Sequence, residues 1–206
     1  MLPIGDKPII HYIVEELIAA GITDILVLIG RGRECLVNYF DYHPELDLSP
    51  PFPNINITFK RVPKALGAAH NIYHARNWVC GEPFIVAYSD NIFLDVNPST
   101  ELIKAGANSI CLIEVSTEDA TKYGIWDGEQ LIEKPENPPS NLAGFGRYLL
   151  SPEIFELIEQ DLDNTNQVCM SAQLNKLSLR PVITTARGFD IGNKYGWLEA
   201  IKCFVK

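Results

Sequence analysis

The sequence predicts an α/β fold, a mostly parallel mixed sheet flanked by helices, as one domain over residues 1–206. Three observations carry that expectation. Short, continuously apolar runs such as Asp24–Ile29 and Phe84–Tyr88 read as strands covered on both faces, because a parallel sheet between helices has no solvent side to impose alternation. Stretches of helical spacing alternate with such runs through the first half, as in a doubly wound sheet. Finally, 206 residues that are 47% hydrophobic and 21% charged suffice for a real core, since a domain of this size removes roughly 70% of its unfolded surface from water.

The first helix is expected from Pro8 to Ala20. Ile9, Ile10, Ile13, Val14, Leu17 and Ile18 fall on one stripe, Pro8 suits the first turn, and Gly21 is a natural stop. A strand follows at Asp24–Ile29, then a helix at Glu34–Phe40 and a proline- and asparagine-rich loop from Tyr42 to Asn54. Ile55–Phe59 alternates as a strand, Gly67–Trp78 reads as a helix and Phe84–Tyr88 as a buried strand. In the second half, Ser109–Val115 is a strand, and short strand-like pieces cluster between Tyr123 and Leu150 around Asp127-Gly128 and Asn137-Pro-Pro139. Pro152 opens a helix to about Glu159. A polar stretch at Asp161–Gln167, a weaker helix near Cys169–Leu177, a strand near Val182–Thr185 and a helix after Gly192 complete the chain. One feature is odd: each helix of a parallel α/β sheet crosses between two strands, yet nothing ahead of Pro8 is long enough to be the strand from which the first helix departs.

Composition excludes several function classes. Seventeen basic against twenty-six acidic residues leave a net charge of −9, which disfavours nucleic acid and anionic membrane as partners. The apolar runs fall far short of the roughly 20 residues that span a bilayer, and no basic-then-apolar leader precedes the first helix. Cys35, Cys80, Cys111, Cys169 and Cys203 are odd in number and hold no CxxC pair; a cytoplasmic, reducing setting fits them better than a disulfide framework or a zinc ribbon.

Several residues are candidates for chemistry. Asp90 lies just past the carboxyl end of a buried strand, the edge where open α/β sheets bind ligands, and a carboxylate there can hold Mg²⁺ against phosphate oxygens; equally, it can be a turn or capping aspartate. Glu133-Lys134-Pro135 ends a strand with an acceptor for sugar hydroxyls and a point charge for phosphate, or with a plain surface ion pair. Asn141 ahead of Gly144-Phe-Gly146 offers donors and an acceptor to a hydroxyl-rich ligand, and is also ordinary turn chemistry. Asp190 in Phe189-Asp-Ile-Gly-Asn-Lys194 combines a carboxylate, a glycine and a lysine before a helix, again readable as a cap. His70 and His74 share a helix face without the glutamate of a metalloprotease pair, and Gly30-Arg-Gly32 lacks the rest of a phosphate fingerprint. No Gly-x-Ser-x-Gly elbow and no dinucleotide-binding Gly-x-Gly-x-x-Gly is present.

Taken in order, Met1-Leu-Pro-Ile-Gly-Asp-Lys-Pro-Ile-Ile10, Ala19-Ala-Gly-Ile-Thr-Asp24, Glu133-Lys-Pro135, Ser140-Asn-Leu-Ala143, Gly146-Arg-Tyr148 and Asp190-Ile-Gly-Asn-Lys194 resemble the bacterial UTP–glucose-1-phosphate uridylyltransferases, a branch of the sugar-nucleotide pyrophosphorylases. The resemblance covers essentially the whole chain. It implies a Rossmann-like nucleotide-diphospho-sugar transferase fold, UTP and glucose 1-phosphate as substrates, Mg²⁺ as cofactor and UDP-glucose with pyrophosphate as products; a homo-oligomer is compatible with it. By position it implies Asp90 and Asp190 as metal carboxylates, Lys134 as the phosphate lysine, Glu133, Asn141 and Gly124 as sugar contacts, Gly67 near the base, and Lys194 among the substrate-binding residues. Family members carry a first strand, a Gly-x-Gly-Thr-Arg loop and a Pro-Lys step ahead of the Met-Leu-Pro-Ile segment. The present sequence starts after all three, so the resemblance implies a sheet without its first strand and without the backbone nest for the nucleotide phosphates. Since one lost oxyanion donor can cost about 10²–10³ in rate, turnover at least a hundredfold below that of a full-length relative is expected of these residues alone. The alternative is an impaired or inactive paralogue that binds glucose 1-phosphate or UDP-glucose in a regulatory role. Lys60 and Arg61 stand where the family's uracil-reading glutamine is expected.

Overall fold

A computed structural model describes residues 2–64, 66–162 and 168–205. The chain opens with a small antiparallel ribbon, β1 (Pro3–Ile4) against β2 (Lys7–Pro8), and enters α1 (Ile9–Ala19). Pro8 is the residue before the helix and not part of its first turn. The predicted apolar stripe is the buried one: Ile9, Ile10, Ile13, Val14 and Leu17 are all under cover, at roughly 1.5–3 kcal/mol of hydrophobic stabilisation for each large side chain. β3 (Asp24–Ile29) follows, then α2 (Glu34–Phe40), β4 (Asn56–Arg61), α3 (Ala68–Tyr73), β5 (Phe84–Ala87), β6 (Asn91–Leu94), α4 (Pro98–Ala105) and β7 (Ser109–Glu114). The remainder is β8 (Gly124–Trp126), β9 (Leu131–Glu133), β10 (Leu142–Leu150), α5 (Glu153–Leu162), α6 (Met170–Leu174), β11 (Arg180–Ile183), β12 (Arg187–Asp190) and α7 (Lys194–Phe204). The β1–β2 ribbon, β6, α4 and β12 went unread in the sequence. From residue 163 onward, the polar stretch expected at Asp161–Gln167 lies outside the described residues.

The mixed sheet is organised by β10. Its first residues pair with β8 on one side and β7 on the other, and its last four pair with β5, while β7 stays alongside and β11 adds to β7 in parallel. Between Gly144 and Tyr148 the register against β7 shifts, and Gly146 takes φ +54° there. A bulge of this kind bends a strand and re-aims its side chains. β6 and β12 form a separate antiparallel pair, and β3 and β4 a separate parallel one.

Among the described residues β3 pairs with β4 alone and β5 with β10 alone. The two strands line a groove of about 1070 Å³ together with apolar residues of α1 and α3. Most of their side chains are in consequence half-buried. The two main cores lie on either side: one under β7, β10, α3 and α5, the other around α1, α2 and α7. Among the described residues no helix is long and apolar enough to cross a membrane.

Candidate active site

A cavity of about 640 Å³ opens where β10 leaves β8 and joins β5. Two carboxylates mark one end. Asp90 sits on the turn after β5, closed by the Asn91 amide donating to the Tyr88 carbonyl at 3.4 Å. Asp190 ends β12, and the antiparallel register sets it opposite Asn91, so that the ladder brings the two aspartates together. The Ile191 amide also donates to the Asp90 carbonyl at 2.8 Å. A Cβ built on Gly192 would fall 3.0 Å from Asp190 Oδ1 and 3.3 Å from Asp90 Oδ2; both carboxylates therefore face one point, and only a glycine leaves it open.

Hydrogen bonds hold the side chains of this corner in place. Asp190 accepts from the Gly192 amide at 2.9 Å, the Tyr123 hydroxyl at 3.1 Å and Asn193 Nδ2 at 3.3 Å. Burial, then the Asp190 charge and hydrogen bond, lift the Tyr123 hydroxyl far above its ordinary pKa, so it stays a donor at neutral pH. Asp90 is reachable by solvent yet recessed: burial raises its pKa, its own backbone hydrogen bond opposes that, the Asp190 charge adds to it and the Arg147 charge lowers it. Among the described residues no group of three or more His, Cys, Asp or Glu side chains gathers as a metal cage. Two converging carboxylates in an open cleft nonetheless fit Mg²⁺, which keeps several waters and is commonly held by one or two carboxylates together with substrate phosphates.

The hairpin β8–β9 builds the opposite wall. Its register places Gly124 opposite Glu133, and Ser171, on α6, donates to Glu133 Oε2 at 2.5 Å. A Cβ on Gly124 would lie 3.3 Å from Ser171 Oγ and 3.5 Å from Glu133 Oε2, so a side chain there would cover the carboxylate. Lys134 follows with φ +44°, its amide donating to the Tyr123 carbonyl at 3.0 Å. A left-handed conformation costs a non-glycine residue roughly 1–2 kcal/mol, and strain of this kind persists where surrounding structure imposes it, often at functional sites. Gly67, at φ +101° ahead of α3, lines the cavity beside Ala68 and Val168.

Of the residues singled out in the sequence, Gly67, Asp90, Gly124, Glu133, Lys134 and Asp190 meet in this one cavity. Asn141 and Lys194 do not line it. Asn141 is an exposed residue whose carbonyl accepts from the Val115 amide at 2.9 Å, extending the β7–β10 pairing. Lys194 turns its ammonium over the Tyr195 ring, 5.0 Å from the centroid. His70 and His74 pack ring against ring at 4.7 Å, away from the cavity lining. Reading the sequence missed Tyr88, Tyr123 and Ser171, which line the cleft, and the fully buried Arg147 behind it. A tyrosine just ahead of the Gly124 strand was the only local hint; Ser171 has no signal in its own neighbourhood.

Comparison with known proteins finds relatives along the whole chain. The family model for nucleotidyl transferase matches residues 1–201. A UTP–glucose-1-phosphate uridylyltransferase of Bacillus subtilis is 31% identical over 96% of this chain and 80% of its own length. A UDP-glucose pyrophosphorylase structure from Acinetobacter baumanii superposes with a TM-score of 0.88 at 25% identity, covering 99% of this chain and 84% of that one. A UDP-glucose pyrophosphorylase solved with UDP-glucose superposes at 0.84 and 26% identity, covering 99% and 89%. A cleft with paired aspartates at one end and the Glu133-Lys134 corner at the other, on a mixed sheet shared with those enzymes, leads to one assignment: the chain belongs to the nucleotidyl transferase family, among the UTP–glucose-1-phosphate uridylyltransferases.

Proposed function

We propose that this chain joins UTP and glucose 1-phosphate to UDP-glucose and pyrophosphate, with Mg²⁺ held by Asp90 and Asp190. The observation that carries the reading is the convergence of both aspartates on the open point at Gly192, across one cavity from Glu133 and Lys134. An oxygen of the sugar phosphate attacks the α-phosphorus in line, the new P–O bond forms, and the bond to the β-phosphate oxygen breaks with release of pyrophosphate. Such a transfer requires positioning and charge neutralisation more than covalent help. Bound Mg²⁺ supplies neutralisation of the phosphate oxygens.

The protein's own groups divide the remaining work. Lys134, fixed by its backbone, sets a compact positive charge for the sugar phosphate. Glu133, oriented by Ser171, accepts from glucose hydroxyls, and Gly124 leaves room for the ring. Tyr123 keeps Asp190 turned towards Asp90 through its hydroxyl. Five free cysteines suit a cytosolic setting.

The groove between β3 and β5 favours a second reading, in which these residues bind UDP-glucose with little turnover. Calorimetric titration with UDP-glucose in Mg²⁺, paired with a pyrophosphate-release assay, tests both. Binding with release that requires glucose 1-phosphate supports transfer, and binding without release supports the second reading. No binding of UDP-glucose or glucose 1-phosphate would reject the site itself.

A further inference from the structure

Behind the Asp90 turn lies a buried ion pair that the proposed reaction does not use. Arg147 is fully buried, its guanidinium 5.1 Å from the centre of the Phe93 ring. All five of its N–H groups have an acceptor. Nε and Nη2 donate to the two oxygens of Glu16 at 3.0 and 2.9 Å. Nη1 donates to the carbonyls of Tyr88 at 3.2 Å and Gly146 at 3.0 Å, and Nη2 to the carbonyl of Asn91 at 2.9 Å. Glu16 is anchored in turn, accepting from Ser99 Oγ at 2.6 Å, while its carbonyl accepts from Asn97 Nδ2 at 2.8 Å. The guanidinium thus grips the carbonyls at both ends of the four-residue turn whose third member is Asp90.

We propose that Arg147, oriented by Glu16, is the positioning residue for the metal carboxylate: it fixes the Tyr88–Asn91 turn so that Asp90 meets Asp190 at the open point by Gly192. The inference rests on the reading of Asp90 as a metal carboxylate. Two physical arguments support it. A buried ion pair is weak evidence for stability, because an apolar pair of similar volume often serves as well or better; here the guanidinium also donates to the carbonyls at both ends of the turn, which an apolar side chain cannot do. The geometry is also specific, since a planar fork with five donors can hold a carboxylate and three carbonyls at once, whereas a lysine ammonium cannot. The bulge at Gly146 brings the fork to this place: a Cβ there would fall 2.0 Å from Asn91 Oδ1, so the backbone of β10 presses directly on the turn.

The test compares the parent chain with the double variant Glu16→Met/Arg147→Met, which removes both charges at similar volume, and with Arg147→Lys, which keeps the charge without the fork. Three quantities are read: melting temperature, amide exchange at Asn91 and Ile191, and affinity for Mg²⁺ titrated in saturating UDP-glucose. The double variant is expected to melt within a few degrees of the parent, to exchange those two amides at least tenfold faster and to bind Mg²⁺ at least tenfold more weakly. Arg147→Lys should shift exchange and affinity in the same direction. Unchanged exchange at both amides in either variant, or parental Mg²⁺ affinity in the double variant, would overturn the positioning role. If the double variant fails to fold, Arg147→Lys decides by the same readings. A parent that takes up no Mg²⁺ would instead reject the metal reading of Asp90, and the exchange result would still judge whether Arg147 fixes the turn.

Discussion

Replacing Asp90 by Asn separates a metal carboxylate from a structural turn residue, because the two roles predict opposite signs. The Oδ atoms of Asp90 and Asp190 that face the Gly192 point are no more than about 6 Å apart, given their distances of 3.3 and 3.0 Å from it. Two unit charges at that separation repel by roughly 3 kcal/mol at an effective dielectric of about 20 and by below about 1 kcal/mol in water. Asp90 is open to solvent, so screening moves the value towards the lower figure. Burial and this repulsion raise the pKa of Asp90 above its ordinary value. The folded chain therefore binds that proton more tightly than the unfolded one, and this group's contribution to stability falls as pH rises from the unfolded pKa through the folded one. At neutral pH the charged Asp90 is a net cost to the metal-free fold. Asp90→Asn should leave the metal-free melting temperature unchanged or slightly raised.

With metal the sign reverses. Ligand at about ten times its dissociation constant stabilises the folded parent by about 1.4 kcal/mol, and about 1 kcal/mol moves the melting temperature of a chain this size by roughly 2–4 °C. Thermal denaturation with UDP-glucose and Mg²⁺ should thus show a rise of about 3–6 °C for the parent and a much smaller one for Asp90→Asn. A metal-free melting temperature lowered by more than about 5 °C, or a Mg²⁺-dependent rise equal to the parent's, would refute the reasoning and make Asp90 a turn or capping residue.

Further outcomes follow from single positions. Lys134→Asn keeps a residue that tolerates the left-handed backbone and removes the charge; calorimetry should show glucose 1-phosphate binding at least tenfold more weakly at an unchanged melting temperature. Gly146→Ala combines a left-handed backbone with the collision against Asn91 Oδ1, for a loss of about 2–5 kcal/mol in urea denaturation; a loss under about 1 kcal/mol would mean that the bulge yields freely. The edge of β3 that has no partner strand among the described residues, with its run Asp24-Ile-Leu-Val-Leu-Ile29, is a template for strand addition. Light scattering should therefore rise with protein concentration and fall in Leu26→Lys, and equal scattering from both would remove the edge as the cause.

Most of the local structure was legible in the sequence. The stripe of α1, the apolar run of β3 and the bounds of α2 were read directly, because helical period and strand hydrophobicity are properties of neighbouring residues. β6 and β12 were not. Asn91–Leu94 and Arg187–Asp190 are four residues each, too short for periodicity, and they exist as strands because they pair with each other across nearly a hundred positions. α4 was passed over although Asn97 and Pro98 are a sound N-terminal signal: Asn97 accepts from the Thr100 amide at 3.0 Å, and Pro98 sits where a missing amide hydrogen costs nothing.

By itself the sequence determined the α/β class, most of the helices and strands, and four residues of the cleft, Asp90, Glu133, Lys134 and Asp190, to which the family resemblance added Gly67 and Gly124. Each stands next to a turn, a strand end or a recognisable motif, and those are short-range features. The tertiary structure decided which of these residues meet. It placed Asp190 beside Asp90, left Asn141 and Lys194 out of the cavity, and set Ser171 against Glu133. It also buried Arg147 against Glu16, 131 positions away in the chain. Nothing near Arg147 announces a partner, because a bidentate ion pair is a property of where two backbones come to lie, and that is fixed by the register and bulge of β10 together with the packing of α1.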